Sequence, residues 1–344
     1  MQKKYVTMKD IARKLGLSIT TVSKAFKNHP DLNSNTRDLV LRTAEEMGFV
    51  KNVSASVLRE NQSRIIGVLM ASATNPFYNA IFNGIESVAS QNGYQIIYAN
   101  AKRDARAQDE AIRTFLGRRV DGLILAPVDP VRQAQDGFGF SGAKGVLAFH
   151  REGGAYDMVC SAEYEGGLAA TRHLLEQGCR RIVMLNDFFE HPGSEDRARG
   201  YRKALEEARI EARPEWQLYC QEVDPDHRIN EGYRAVLEAV KQGLEFDGLF
   251  GFNDIITYGA FKALNELGKH IPRQVAIVGY DDLDYSAVLT PPLSSVNFPK
   301  YEMGARITHL LLERLENPDV PARIEQVETR LVIRASSLRN PPDQ

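Results

Sequence analysis

The sequence predicts an α/β protein carrying a small all-helical module at its N-terminus, and three observations lead there. Residues 6–49 show helical periodicity broken at Gly16 and Gly48, with no strand-like run among them. From Ile65 onward, short apolar runs alternate with amphipathic helical stretches, the pattern of parallel α/β sheets. Two of these runs, VDGLIL at 120–125 and FDGLFGF at 246–252, each follow a helical stretch and precede a loop. That echo indicates two similar α/β subdomains.

In the first module, Thr7-Met8-Lys9-Asp10 has the form of a capping box, and Ile11, Ala12, Leu15 and Leu17 supply the apolar stripe behind it. Ser18 can cap a second helix with Val22, Ala25 and Phe26 inward. Asn33 can cap a third, with Val40, Leu41, Ala44 and Met47 inward and Gly48 as its stop. Helix, short glycine turn, helix is the helix-turn-helix pattern. Residues 51–64 are polar and irregular and read as a linker with a helical turn or two.

In the larger part the strand-like runs are Ile65–Met70, Tyr94–Ala99, Gly122–Pro127, Val146–Phe149, Ile182–Asn186, Trp216–Cys220, Gly248–Phe252 and Val275–Gly279, with a late return at Glu328–Ile333. Helices expected between them include 77–92, 108–117, 166–177, 197–208, 230–242 and 256–267. Ligands of open α/β sheets bind beyond the carboxyl ends of the strands. The loops aimed there are 71–78, 126–130, 150–152, 187–197, 253–254 and 280–285.

Bulk properties narrow the function. The chain has 344 residues, enough for two or three domains, with 43% hydrophobic and 26% charged residues, ordinary for a soluble protein. Its formal charge is −2, unevenly placed. Residues 1–64 hold 12 Lys and Arg against 6 Asp and Glu, a balance of +6; the remainder holds 31 against 39, a balance of −8. A basic module on an acidic body suits a polyanion partner for the first part, although a solvated basic helix pair would show the same balance. The start lacks the apolar core of a secretory signal, and no run approaches a membrane span. Cys160, Cys179 and Cys220 are odd in number and widely spaced, which suits a reduced cytoplasm better than a disulfide framework.

Catalytic and cofactor motifs are missing. GFGFSG at 137–142 matches the dinucleotide-loop pattern, but no strand immediately precedes it and no capped helix follows, so a surface loop is expected and no cofactor. The seven histidines lack metal-ligand spacing. Asp281, Asp282 and Asp284 read as an acidic strand-end loop that hydrogen-bonds a hydroxylated ligand rather than as a metal site. Neither an enzyme nor a metalloprotein is expected.

Taken in order, the motifs resemble the lactose-repressor (LacI/GalR) family of bacterial transcription regulators along nearly the whole chain. VTMKDIARKLGLSITTVSKAFKN looks like the family's DNA-binding signature, LNSNTRDLVLRTAEEMGF like its third helix and KNVSASVL like its hinge. IIGVLMASATNPFY, RRVDGLILAP, RARGY, GFNDIITYGAFKAL, VGYDDLDYSAVLTPPLSSV and ETRLVIRASS follow in family order. The resemblance implies a headpiece (1–50), a hinge (51–64) and a periplasmic-binding-protein-like core (65–344) of two Rossmann-like subdomains. The expected division of the core is 65–160 with 297–322, and 161–296 with 323–336. It also implies a repressor acting as a homodimer on a pseudo-palindromic operator, controlled by a small molecule. The alternative with the same core, a transporter's solute-binding protein, calls for a signal peptide and no headpiece.

Carried over position by position, Ile19, Thr20 and Lys24 stand at the family's base-reading positions. Thr20 can hydrogen-bond a base edge and Ile19 can touch a thymine methyl. Lys24 replaces the usual Arg and lacks its planar fork for guanine. Thr7, Ser18, Thr21, Ser23, Asn28 and Thr36 are candidate phosphate contacts, several with helix capping as the competing role. In the hinge the candidates are Asn52, Ser54, Ala55 and Leu58, the last aligned with a leucine wedged into the minor groove. Lys51 stands where a proline is usual.

The implied effector contacts are Ser72, Phe77, Tyr78, His150, Arg197, His227, Asn253 and Asp281. Ser72 and His150 stand where the family commonly has Asp, and His227 where it often has an aromatic platform. Core packing competes at Phe77, and a mutual ion pair competes at Arg197 and Asp281. A carbohydrate is the first expectation for the effector and a nucleoside or purine the second. The short stretch after the last strand lacks leucine heptads, so a dimer is expected rather than a tetramer.

Operator binding should release counterions from the basic module. Affinity is expected to fall about 1000-fold or more between roughly 50 and 200 mM salt, measured by fluorescence anisotropy; a near-flat salt dependence would contradict the assignment.

Overall fold

The structure, a computed structural model, describes residues 6–49, 62–102, 104–126, 144–149, 156–187, 192–220 and 228–339. The expected contacts Asn52, Ser54, Ala55, Leu58, His150 and His227, together with the 137–142 loop, lie outside the described residues. The chain divides into two compact units, Met1–Ser63 and Arg64–Gln344.

The first unit holds helices α1 (Met8–Leu15), α2 (Ile19–Phe26) and α3 (Ser34–Glu46). The Thr7 capping box forms with both reciprocal bonds, and Gly16 closes α1 in the left-handed region at φ 67°, where a side chain would be strained. Ser18 caps α2, its Oγ accepting from the Thr21 amide at 3.0 Å. Asn33 caps α3. Ile11, Ala12, Val22, Ala25, Val40 and Ala44 make the core, and Phe26 meets Phe49 with ring centroids 5.1 Å apart. Leu41, expected inside, is 41% exposed. One position past Val40, it is rotated about 100° around the helix and off the buried stripe.

The second unit contains two six-stranded sheets. The strands are β1 (Ile65–Met70), β2 (Gln95–Asn100), β3 (Gly122–Leu125), β4 (Lys144–Ala148), β5 (Asp157–Ser161), β6 (Ile182–Asn186), β7 (Gln217–Tyr219), β8 (Gly248–Gly251), β9 (Ala276–Tyr280), β10 (Ser294–Asn297), β11 (Ile324–Val327) and β12 (Arg330–Val332). The first sheet runs β11-β5-β4-β3-β1-β2 and is parallel throughout. The second runs β12-β10-β9-β8-β6-β7 with β12 antiparallel. Around them lie α4 (Pro76–Gln91), α5 (Ala105–Gly117), α6 (Glu163–Glu176), α7 (Pro192–Glu207), α8 (Arg228–Lys241), α9 (Asp254–Glu266) and α10 (Lys300–Glu316).

Strand alternation sorts the first sheet's side chains onto two faces. Ile66, Val68, Met70, Ile124 and Val146 join a cluster with Ile81 and Ile85 of α4 and Ile307 and Leu310 of α10. Leu69, Leu123, Leu125 and Leu147 meet Ile112 and Phe115 of α5 on the other face.

The chain crosses between the sheets three times: at Ala162 from β5 to α6, at Phe298-Pro299 from β10 to α10, and at Glu328-Thr329 from β11 to β12. The third crossing lies later than expected. Residues 324–327 pair with β5 of the first sheet, Ile324 beside Met158 and Val327 beside Ser161, so a division at 323 is wrong. Polar IEQV carries no signal of the sheet it joins, because it forms an edge with one neighbour. The strands at 157–161, 294–297 and 324–327 and the helix at 300–316 come in addition to the expected elements. DMVCS and SSVN are too polar for an apolar-run criterion.

Each crossing leaves the carboxyl end of a parallel strand, and β12 begins beside the carboxyl end of β10. The carboxyl edges of both sheets therefore adjoin the crossings. Thr329 Oγ1 donates to the Ala162 carbonyl at 3.1 Å, pinning the third crossing to the first.

Helix α10 carries no effector candidate but holds the first sheet together. Arg314 binds Asp157 of β5 through Nε at 2.7 Å and Nη2 at 2.9 Å. Gly84 and Gly304 let α4 and α10 touch backbone to backbone: a Cβ at Gly84 would lie 2.1 Å from the Tyr301 carbonyl oxygen. Gly84→Ala should cost about 1–3 kcal/mol by forcing the helices apart. The check is urea unfolding of the core; an unchanged midpoint would contradict the close contact.

Candidate functional site

In the first unit, Ser18, Ile19 and Thr20 open α2 and are exposed; Thr21, Ser23 and Lys24 are half-buried along it. Ile19 stands at the helix start with 49% of its surface exposed, which leaves apolar surface available to a partner. Thr20 and Lys24, four residues apart, share one side of the helix. Lys24 Nζ lies 3.6 Å from Asp31. Ser18 Oγ is engaged by Thr21, with the two hydroxyls 2.8 Å apart, so capping accounts for part of its role. Thr7 likewise serves its capping box. Asn28 sits at φ 50° and accepts from Arg37 Nη1. Thr36 lies in the first turn of α3, half-buried.

In the core, Ser72, Phe77, Tyr78, Asn253 and Asp281 follow the carboxyl ends of strands, and Arg197 lies on the helix after β6. Ser72 follows β1; its hydroxyl accepts from the Thr74 amide at 3.3 Å, a local turn. Asn75 caps α4, whose first turn presents Phe77 and Tyr78. Both are 8% exposed and sit in an aromatic cluster: Phe77 meets Phe298 at 5.2 Å and Phe149 at 5.5 Å, and Tyr78 meets Phe149 at 6.1 Å. Packing is thus part of what these two rings do. Phe298 belongs to the second crossing, so the cluster joins α4 to the junction of the sheets.

Arg197 lies on the second turn of α7. Its guanidinium is held between two rings, 3.5 Å from the Tyr280 centroid and 4.4 Å from that of Phe252. Nε donates to Glu163 Oε2 and Nη1 to the Phe252 carbonyl. Its ion-pair partner is therefore Glu163 and not Asp281. Burial is the largest influence and disfavours this cation, but the Glu163 charge and hydrogen bond, together with Tyr280 and Asp281, outweigh it and hold the group protonated.

Asn253 caps α9, its Oδ1 accepting from the Ile256 amide at 3.0 Å, which leaves the Nδ2 amide outside the cap. Asp281 ends β9 at φ 100°, buried, and its carboxyl is pushed well above the usual carboxylate range by burial, against the pull of Arg197. Lys300 of α10 donates to the Asp281 carbonyl, and Asp282 is bound by Arg334 at 2.7 Å and Asn297 at 2.9 Å. Strand end and second crossing are thereby one hydrogen-bonded unit.

Sequence reasoning missed Glu163, Tyr280, Phe252, Phe298, Lys300 and the buried pair Asp187–Arg228. Glu163 did leave a trace: an acid in the first turn of a helix followed by the paired glycines Gly166 and Gly167. A Cβ at Gly166 would lie 2.6 Å from the Tyr280 hydroxyl, and one at Gly167 would lie 2.3 Å from the Arg197 carbonyl oxygen. Among the described residues, no group of three or more His, Cys, Asp or Glu could hold a metal ion, and no helix is long and apolar enough to cross a membrane. Cys179 and Cys220 are buried, their thiols pushed up to about 11 and about 12 by burial, which leaves neither a nucleophile at neutral pH.

A three-helix reader with an exposed recognition helix, joined to a two-sheet α/β core with polar groups at adjoining strand ends, defines a ligand-responsive DNA-binding protein. Comparison with known proteins agrees. Residues 7–52 match the model of bacterial regulatory proteins of the lacI family, and residues 171–337 match a periplasmic binding protein-like domain. The chain is 29% identical over 330 residues to the ribose operon repressor of Haemophilus influenzae, covering 96% of this chain and 98% of that one. It is 28% identical over 330 residues to the transcriptional repressor PurR of Vibrio vulnificus, covering 95% and 97%. The solved complex of the transcriptional regulator CelR with cellobiose matches with a TM-score of 0.71 at 26% identity, covering 96% of this chain and 100% of that one. The chain thus carries a lacI-family DNA-binding domain followed by a periplasmic binding protein-like domain.

Beside the site, Asp254 is fully buried and accepts from Ser286 Oγ at 2.6 Å, Ser295 Oγ at 2.7 Å and the Leu283 amide at 2.8 Å. Burial outweighs these bonds and pushes its carboxyl up to about 6. A carboxyl raised on folding favours the fold at low pH, and that contribution is lost as pH rises through about 6. Asp254→Asn should therefore cost more stability at pH 5 than at pH 7, the gap narrowing by about 1 kcal/mol. Denaturant unfolding at both values is the check; a pH-independent gap would contradict it.

Proposed function

We propose that this chain is a transcription repressor that binds operator DNA through α2 as a homodimer and releases or tightens its grip when a small molecule enters between the two subdomains of the core. It acts in the cytoplasm and carries out no catalysis. The observation that carries the reading is the gathering of Arg197, Asn253 and Asp281 at the carboxyl edge of the second sheet, with Phe77 and Tyr78 at that of the first. A ligand touching both edges favours the arrangement in which they are closest, and that differential affinity is what shifts an equilibrium.

A carbohydrate fits best. Arg197, Asn253 and Asp281 offer donors and acceptors in the mixture that hydroxyl groups require, and apolar ring faces lie beside them. The relatives named for ribose and cellobiose support this class. A purine is the second reading; the Phe77–Phe149–Phe298 cluster could stack a flat ring, and the PurR relative supports it. A thermal-shift panel of pentoses, hexoses, disaccharides and purines on the full chain separates the two, since a ligand at 100 times its dissociation constant adds about 2.7 kcal/mol.

The ligand so identified should alter operator affinity in a gel-shift or anisotropy assay. Asp281→Asn, chosen because Asn tolerates the positive φ better than Ala, should bind operator as wild type does but need at least about tenfold more ligand to respond. Circular dichroism and a melting curve establish that the variant is folded. A folded variant responding at the wild-type ligand concentration would place the effector elsewhere.

A further inference from the structure

The positive charge of Arg197 is already answered before any ligand arrives. Glu163 takes Nε, the Phe252 carbonyl takes Nη1, and the rings of Tyr280 and Phe252 cover the guanidinium faces. Glu163 is itself 6% exposed and receives a hydrogen bond from Ser161 Oγ. It also opens α6, where the helix N-terminus favours a negative charge. Asp281, 4% exposed, lies close enough to feel both charges. Neighbouring cations are committed too: Arg228 to Asp187, Arg334 to Asp282, and Lys300 to the carbonyls of Asp281 and Asp282.

An anionic group approaching Arg197 would thus meet the carboxylate of Glu163 already bound there, and at short range and reduced dielectric like charges repel strongly. A hydroxyl meets no such penalty, since it can accept from the guanidinium edge and donate to a carboxyl oxygen. We infer that Glu163 is a specificity-determining residue that restricts the effector to uncharged polyhydroxyl compounds and excludes phosphorylated or carboxylated ones. The inference rests on the reading of the strand ends as the effector site.

Inorganic phosphate tests it without knowledge of the effector. In thermal-shift titrations of the full chain, with sodium chloride at equal ionic strength as the reference, wild type should show no phosphate-specific rise. Glu163→Gln keeps the side-chain length and an acceptor oxygen but removes the charge. It should bind phosphate at least about tenfold more tightly than wild type, and adding Arg197→Gln or Arg197→Lys should weaken that gain. A phosphate response in wild type that Arg197→Gln abolishes would overturn the proposal. So would a folded Glu163→Gln or Glu163→Ala that gains nothing, or a gain indifferent to Arg197. Failure of both Glu163 variants to fold would assign the residue a structural role in place of a selective one. Because the readout is an ion at Arg197, these failures leave the effector-site assignment standing; the Asp281→Asn response decides that separately.

Discussion

The strand ends of the second sheet are organised by one requirement: a buried guanidinium must be fully partnered. Taking a cation out of water costs several kcal/mol unless charge and hydrogen bonds replace the lost hydration. Arg197 obtains them from Glu163 and the Phe252 carbonyl, with two aromatic faces in place of water. Satisfying it fixes where α6 begins, how closely α7 approaches it and where Tyr280 points. Gly167 and Gly200 follow from the same demand, since α6 and α7 can bring Glu163 to Arg197 only if their backbones touch; a Cβ at Gly200 would lie 2.3 Å from the Tyr164 carbonyl oxygen.

The partnered cation then has a functional character that a free one would lack. It offers direction more than charge, since its hydrogen-bonding edge is oriented while its field is largely cancelled. Asn253 shares this economy, spending its oxygen on a helix cap and keeping its amide. The site is therefore built from groups whose first duty is structural, and their geometry is preorganised for that reason.

Much of this was legible in the sequence, because α/β architecture writes itself as apolar runs. Residues 65–70 and 182–186 were predicted to the residue, since buried parallel strands need apolar side chains on both faces. The caps at Thr7, Ser18 and Asn33 were equally readable, because a cap is a local device. What stayed hidden depends on distance along the chain. Glu163 and Arg197 are 34 positions apart, and nothing local marks one as the other's partner. Edge strand 324–327 was assigned to the wrong half because its sheet is chosen by a neighbour 166 positions earlier. Family resemblance reached the positions of the effector contacts but not Glu163; the competing role for Arg197 was a pair with Asp281, and its partner is Glu163.

Strand β11 completes one sheet and, two residues later, β12 completes the other. Neither half of the core is a continuous stretch of polypeptide. On a ribosome, the first half would emerge as β1–β5 without its α10 cover and with an open edge at β5, and it would wait through about two-fifths of the chain's synthesis before residue 300 arrived. The apolar face of β3 to β5 that Ile307, Leu310 and Leu311 cover would stand bare for that interval. The two halves must therefore finish folding nearly together and late, and a chain stopped short of residue 324 would leave both sheets with an unpaired edge.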